Sequence, residues 1–194
     1  NCRYPNKDFD VLKIKLLSIH KGDRLYFLGP SGVGKSTLLE TLGLMNNTIH
    51  EPEVNNSRLH FYANETESPI DIVKLWRQSE ETISKFRNQF LSFIFQSNNL
   101  FASLSAFDNI TITSILHGLS KKEAINRTKE IVRQILPDIE SDKPITEISG
   151  GQRQRVAFAR AVAVRKAVLF ADEPTGNLDV GNAMNVLKLL EQNI

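Results

Sequence analysis

The chain has 194 residues, 41% of them hydrophobic and 24% charged, with a formal net charge of +2. That is enough for one domain with a sizeable core and too ordinary in composition for intrinsic disorder. Acidic and basic residues are interleaved, so charge gives no reason to invoke nucleic acid or an anionic lipid surface.

Cys2 stands alone and the histidines are scattered, which excludes an internal disulfide and any zinc-type ligand spacing, and suits a reducing compartment. No apolar run approaches the roughly 20 residues that span a bilayer; AVAVRKAVLFA is interrupted by Arg165 and Lys166. A membrane role would therefore come through a partner. The chain starts at Asn1 with no basic-plus-apolar leader, and reads as a trimmed product of a soluble protein.

In chain order, VLKIKLLSI (11–19) comes near strand alternation, and KGD (21–23) is a turn. RLYFL (24–28) then reads as a buried strand, so that an antiparallel pair leads into GPSGVGKST (29–37). This stretch fits GxxxxGKS, a glycine-rich loop whose N–H groups cradle phosphates while Lys35 reaches the terminal phosphates and Ser36 holds a divalent cation. STLLETLGL continues it as a helix, aiming the positive end of a helix dipole at an anion. Taken alone, the loop could also be a chance glycine turn before a helix.

The segment 46–69 is polar, with RLHFYA (58–63) its clear strand candidate. From Asp71 to Phe90 the pattern is helical, with Ile72, Leu75, Trp76, Ile83 and Phe86 sharing one face and Trp76 read as core. LSFIFQ (91–96) is a short apolar strand ending in the amide of Gln96. Two helical segments follow between 106 and 137, the second with Ala124, Ile125, Thr128, Ile131, Val132, Ile135 and Leu136 on one face and a solvated charged face opposite.

Ser149, Gly150 and Gly151 precede a helix carrying Arg153, Arg155 and Arg160, a second N-terminus suited to an anion, although Ser there also serves as an ordinary cap. AVLFADE (167–173) is a hydrophobic strand delivering Asp172 and Glu173 at its C-terminal end, where parallel sheets place ligands. Two acids on a buried strand imply a cation or a reaction that offsets their desolvation.

Together these motifs resemble those of the ATP-binding cassette (ABC) ATPases, in order and spacing and over nearly the whole chain, most weakly from Asn46 to Ile70. GPSGVGKST resembles the Walker A loop, Gln96 the Q-loop, ISGGQ (148–152) the signature, LFADE the Walker B strand and GNLD (176–179) the D-loop. ADEPTGNLD resembles the lipoprotein-releasing and macrolide-export type and its cell-division relative.

The resemblance implies an α/β P-loop NTPase fold with an N-terminal antiparallel β subdomain and an inserted helical subdomain at about 97–158. A single domain would cover 1–194 and be incomplete at its C-terminal end. It implies an ATPase using ATP and Mg2+, with the phosphates on Gly29, Ser31, Gly32, Val33, Gly34, Lys35, Ser36 and Thr37. Adenine would stack on Tyr4, or on Phe9 as second choice. Ser36, Gln96 and Asp172 would serve the metal, and Glu173 would act as base, with Lys35 and Gln96 as the other catalytic residues.

Ser149, Gly150, Gly151, Gln152 and Asp179 would close the site of a second cassette in trans. The implied partners are that cassette, as homo- or heterodimer, and a transmembrane subunit or fused membrane domain, with the chain at the inner face of the cell membrane and no nucleic acid. Asn98 to Phe101 resemble the surface that receives a segment of the membrane subunit, while Leu100, Phe101, Leu104 and Phe107 each also suit a subdomain core.

In place of the usual signature leucine stands Ile148, a change of little expected effect. The family's further strand and switch histidine do not appear before Ile194, and His20, His50, His60 and His117 all precede the signature, so the residues as given are expected to hydrolyse ATP poorly. A force-transmitting cell-division role is the alternative to export. The DNA-maintenance ATPases fit less well because the segment between loop and signature lacks sustained heptads. A catalytically dead cassette is disfavoured by Lys35, Asp172 and Glu173.

Overall fold

The computed structural model describes residues 2, 3, 10–49, 58–64, 66–175, 181 and 188. The chain forms two compact units, Asn1–Leu91 and Ser92–Ile194.

The first unit is built around helix α1, Lys35–Leu42, which buries Thr37, Leu38 and Thr41. Cys2 bridges to both Leu12 and Ile49, drawing the N-terminal segment alongside the residues that follow α1. A short hairpin pairs β1, His60–Phe61, antiparallel with β2, Ile70–Asp71, Phe61 standing opposite Ile70. Asp71 caps α2, Ile72–Leu75, by accepting from the N–H groups of Val73 and Lys74. Ser79 caps α3, Glu80–Phe90, by accepting from Thr82 N–H.

The expected single helical stretch is therefore two helices. Two N-caps eight residues apart break it, and both were present in the sequence as Asp71 and Ser79. Its apolar face holds at Ile72, Leu75, Ile83 and Phe86, which are buried, while Trp76, expected in the core, is half-buried; Phe86 joins Phe61 and Phe90 in an aromatic cluster with centroids 5.0–5.2 Å apart. Arg87 donates from Nη1 to Leu44 O at 2.7 Å, tying α3 to the turn after α1.

The strands expected at 11–19 and 24–28 are not formed: these residues carry no ladder among the described residues beyond the Leu12 bridge. Leu16, Leu28 and Tyr26 are exposed, Leu28 by 91%. Alternating apolar residues supply strand propensity only; a partner strand must supply the hydrogen bonds and the cover that turn propensity into a buried strand.

In the second unit, β3, Leu91–Ile94, hydrogen-bonds with β4, Val168–Ala171. The stacked rings of Phe93 and Phe170, 5.0 Å apart, reinforce the pairing. Between the strands run α4, Ala106–Leu116, α5, Lys121–Ile135, a 3-10 turn, Ile145–Glu147, and α6, Gly150–Val162. The expected apolar face of α5 is inward: Ala124, Thr128, Ile131, Ile135 and Leu136 are buried. A capping box between Ser120 and Glu123 starts that helix.

The core of this unit gathers Ile94, Ile110, Ile131, Leu136, Ile148, Val156 and Phe158, with Phe158 fully buried. Ile148, the residue standing in place of leucine, is one of its walls, and an isomeric aliphatic of equal volume fills that place at little cost. β4 is only half-buried along its length, and Glu173 beyond it is exposed. The desolvation argument for its two acids therefore does not apply to Glu173.

Candidate nucleotide-binding and hydrolysis site

The phosphate-loop residues lie in the first unit. Gly32 and Gly34 have φ of 83° and 95°, conformations that a side chain resists. Gly34 is constrained a second way, because an added Cβ would stand 3.2 Å from Val11 Cγ1. The chain thereby turns tightly from Gly29 into α1 with Gly34, which brings no capping side chain, as its N-cap. Lys35 folds back over the loop, its Nζ donating to the carbonyl oxygens of Gly29 and Pro30, each at 2.8 Å.

In the second unit, the ends of β3 and β4 deliver the catalytic candidates. Asp172 N–H donates to Ile94 O at 2.9 Å, carrying the pairing one residue beyond β4. Gln96 lies two residues past Ile94, and its Nε2 donates to Glu173 Oε2 at 2.9 Å. The structure thus joins two side chains 77 positions apart that the sequence reading had placed in one reaction.

Glu173 has φ 46°, a left-handed conformation costing a non-glycine residue roughly 1–3 kcal/mol. The following Pro174 disfavours a right-handed helical conformation at Glu173, so the strand cannot roll directly into a helix. Glu173 is thus a strained acid at a strand end, hydrogen-bonded to an exposed amide.

The signature segment opens α6. Ser149 Oγ accepts from Gln152 N–H at 3.2 Å, and Ser149 N–H donates to Gln152 Oε1 at 2.8 Å, a complete capping box. Ser149, Gly150 and Gln152 thus sit together at one helix N-terminus. The arginines carried by this helix are held by protein acceptors. Arg153 donates to Ile148 O at 2.7 Å and Arg155 binds both oxygens of Asp138 at 2.6 and 2.7 Å. Arg160 donates to the carbonyls of Asn98 and Asn99. Each is committed to a protein acceptor, because a guanidinium half-buried along a helix must find one.

The resemblance had the leading part of the 98–107 stretch either at a surface or in a core. Leu100 packs against the core and Phe101 is 50% exposed. Asn109, fully buried, fastens this stretch: its Oδ1 accepts from Phe101 N–H at 2.8 Å while Nδ2 donates to Phe101 O and Ser105 O. Sequence reasoning missed Asn109; the one amide side chain of α4, standing three residues after its first position, was the available signal. Tyr4, Phe9 and Asp179 lie outside the described residues.

The family profile described as ABC transporter matches residues 12–176, and the chain belongs to that family. It is an ATP-hydrolysing cassette. Among its relatives, the lipoprotein-releasing system ATP-binding protein LolD of Bacteroides thetaiotaomicron is 39% identical over 180 residues, covering 92% of this chain and 75% of the relative. The macrolide export ATP-binding/permease protein MacB of Neisseria gonorrhoeae is 34% identical over 183 residues, spanning 94% of this chain and 26% of that much longer protein. Among solved structures, the dimeric ATP-binding cassette MJ0796 in a post-hydrolysis state with ADP and Pi superposes with a TM-score of 0.75 at 28% identity, over 94% of this chain and 74% of that one. The α/β cassette fold expected from the motifs is thereby established.

Proposed function

We propose that this ATPase powers a membrane export system, working as one of two cassettes that close over ATP and open after hydrolysis. The observation that carries the hydrolytic part is the hydrogen bond between Gln96 and Glu173 at the strand ends. The LolD and MacB relatives, named for lipoprotein release and macrolide export, favour export over force transmission to cell-wall enzymes.

The residues fit Mg-ATP. The glycine turn ends at the N-terminus of α1, whose dipole suits phosphate oxygens; the hydroxyl of Ser36 in the first unit and, in the second, the carboxylate of Asp172 and the amide oxygen of Gln96 are each hard oxygen donors of the kind Mg2+ takes. Among the described residues no cluster of three His, Cys, Asp or Glu side chains forms an all-protein metal cage. That suits Mg2+, which takes one or two carboxylates and completes its shell with phosphates and water. When bound, Mg2+ supplies charge neutralisation of the phosphates.

The protein's part follows from its own groups. Lys35 exchanges two neutral carbonyl acceptors for phosphate oxygens, a stronger charge-assisted pairing. Glu173 accepts a proton from the attacking water, and Gln96, now donating to that carboxylate, orients both. Ser149, Gly150 and Gly151 present the N-terminus of α6 to the γ-phosphate on the other cassette, and Asp179 crosses the same interface. Loss of that phosphate's charge and contacts releases the pair. Phe101, half-exposed, contributes to the surface that meets the membrane subunit, which holds the cassette at the inner face of the membrane.

Affinity purification of the full-length protein from membranes separates the readings. Export predicts that it brings down a membrane protein with a substrate pathway; recovery of a small membrane protein together with a cell-wall hydrolase would overturn it.

A further inference from the structure

Gln96 is exposed, so packing does not hold its side chain, and the direction of its amide depends on the backbone that carries it. That backbone is unusual. The loop immediately after it, Ser97 to Asn99, contains two consecutive left-handed residues, Asn98 at φ 61° and Asn99 at φ 47°. Asparagine tolerates this conformation better than most residues, yet two in succession need support from outside the loop. Local bonds supply part of it: Asn98 N–H donates to Phe95 O at 3.0 Å and Ser97 Oγ donates to Asn99 Oδ1 at 2.6 Å.

Among the described residues, the external support comes from one side chain. Arg160, 61 positions away on α6, donates from Nη1 to Asn99 O at 2.6 Å and from Nη2 to Asn98 O at 2.9 Å. Its planar fork spans both carbonyls of the left-handed pair, a geometry that the single ammonium of lysine cannot reproduce. No carboxylate pairs with Arg160 among the described residues, and burial strips water from its guanidinium, lowering its pKa. A charge held at that cost by two backbone carbonyls is placed to fix the loop rather than to balance an acid.

We propose that Arg160 is a positioning residue for hydrolysis: its two hydrogen bonds lock Asn98 and Asn99 in the left-handed turn that aims the Gln96 amide at Glu173. The signature helix and the water-orienting pair are thereby one mechanical unit. The inference rests on the roles given above to Gln96 and Glu173.

The test is a double-mutant cycle on the ATPase activity of the full-length protein, using Arg160→Gln, Arg160→Lys, Gln96→Ala and the combination of Arg160→Gln with Gln96→Ala. Losing the lock lowers kcat by about tenfold to a hundredfold, with KM for ATP within twofold, because the phosphate-loop contacts are untouched. Arg160→Lys, which keeps the charge and most of the aliphatic stem, shows the same split, so the result stands even if Arg160→Gln folds poorly. The combined variant is no slower than Gln96→Ala alone, since the lock acts only through Gln96. Rates that fall multiplicatively, or a rise in KM with kcat unchanged, would overturn the proposal. If Gln96→Ala is slow but both Arg160 variants match the unmodified protein, the positioning role fails alone; if Gln96→Ala itself is as fast as the unmodified protein, the site assignment fails and takes this inference with it.

Discussion

Ser149→Asp separates a helix cap from a phosphate contact. In the structure Ser149 Oγ accepts from Gln152 N–H at 3.2 Å, and aspartate caps a helix about as well as serine. Its negative charge also suits a helix N-terminus, contributing roughly 0.3–1 kcal/mol. Folding stability should therefore stay within about 0.5 kcal/mol of the unmodified protein.

The catalytic effect should be far larger. A carboxylate brought to about 4 Å from a phosphate charge at an effective dielectric near 20 raises the energy of the closed state by about 4 kcal/mol, or roughly three orders of magnitude in equilibrium. Urea unfolding followed by far-ultraviolet circular dichroism reads the first quantity, and steady-state ATPase with Mg-ATP reads the second. The expected result is unchanged stability with hydrolysis reduced by at least about a hundredfold. If hydrolysis persists within twofold, Ser149 is only a cap and the trans contact is wrong.

Lys35→Ala should weaken ATP binding by more than about tenfold, measured by calorimetry, while leaving the melting transition nearly in place because Lys35 is only half-buried and its ammonium bonds to carbonyls of its own loop. Phe158→Ala empties a fully buried site and should cost about 3–5 kcal/mol in urea unfolding; a loss under about 1 kcal/mol would refute the core assignment. Asp138 is held below the ordinary carboxylate range by its side-chain hydrogen bonds to Arg155. A depressed folded pKa makes its contribution present above about pH 4 and lost as pH falls through the folded value. Because Asp138 is more than half exposed, Asp138→Asn should cost under about 1 kcal/mol at pH 7 and nothing below about pH 2; a cost that persists in acid would contradict the pairing.

Helices were the most legible part of the fold because their signals are local. The face of α5 could be read residue by residue, and Ser149 announced the start of α6. Strands depend on partners. LSFIFQ and AVLFADE could be placed because each is a short apolar run that finds the other across one sheet, whereas RLYFL carries the same kind of pattern and lies exposed without a ladder among the described residues. At the site, the sequence could name Gln96 and Glu173 but could not show their hydrogen bond or the left-handed backbone at Glu173. Arg160 was visible only as a cation on an anion-facing helix, because its true acceptors are backbone carbonyls, which carry no letter in a sequence.

Glu173→Gln tests the central claim most directly. The amide keeps the shape and, with one carbonyl oxygen, can still meet the Gln96 amide, but it cannot take a proton from water. Light scattering of the full-length variant with Mg-ATP should show a dimer that ADP does not support and that the unmodified protein does not accumulate. A variant that stays monomeric with ATP, or that hydrolyses ATP as fast as the unmodified protein, would contradict the account.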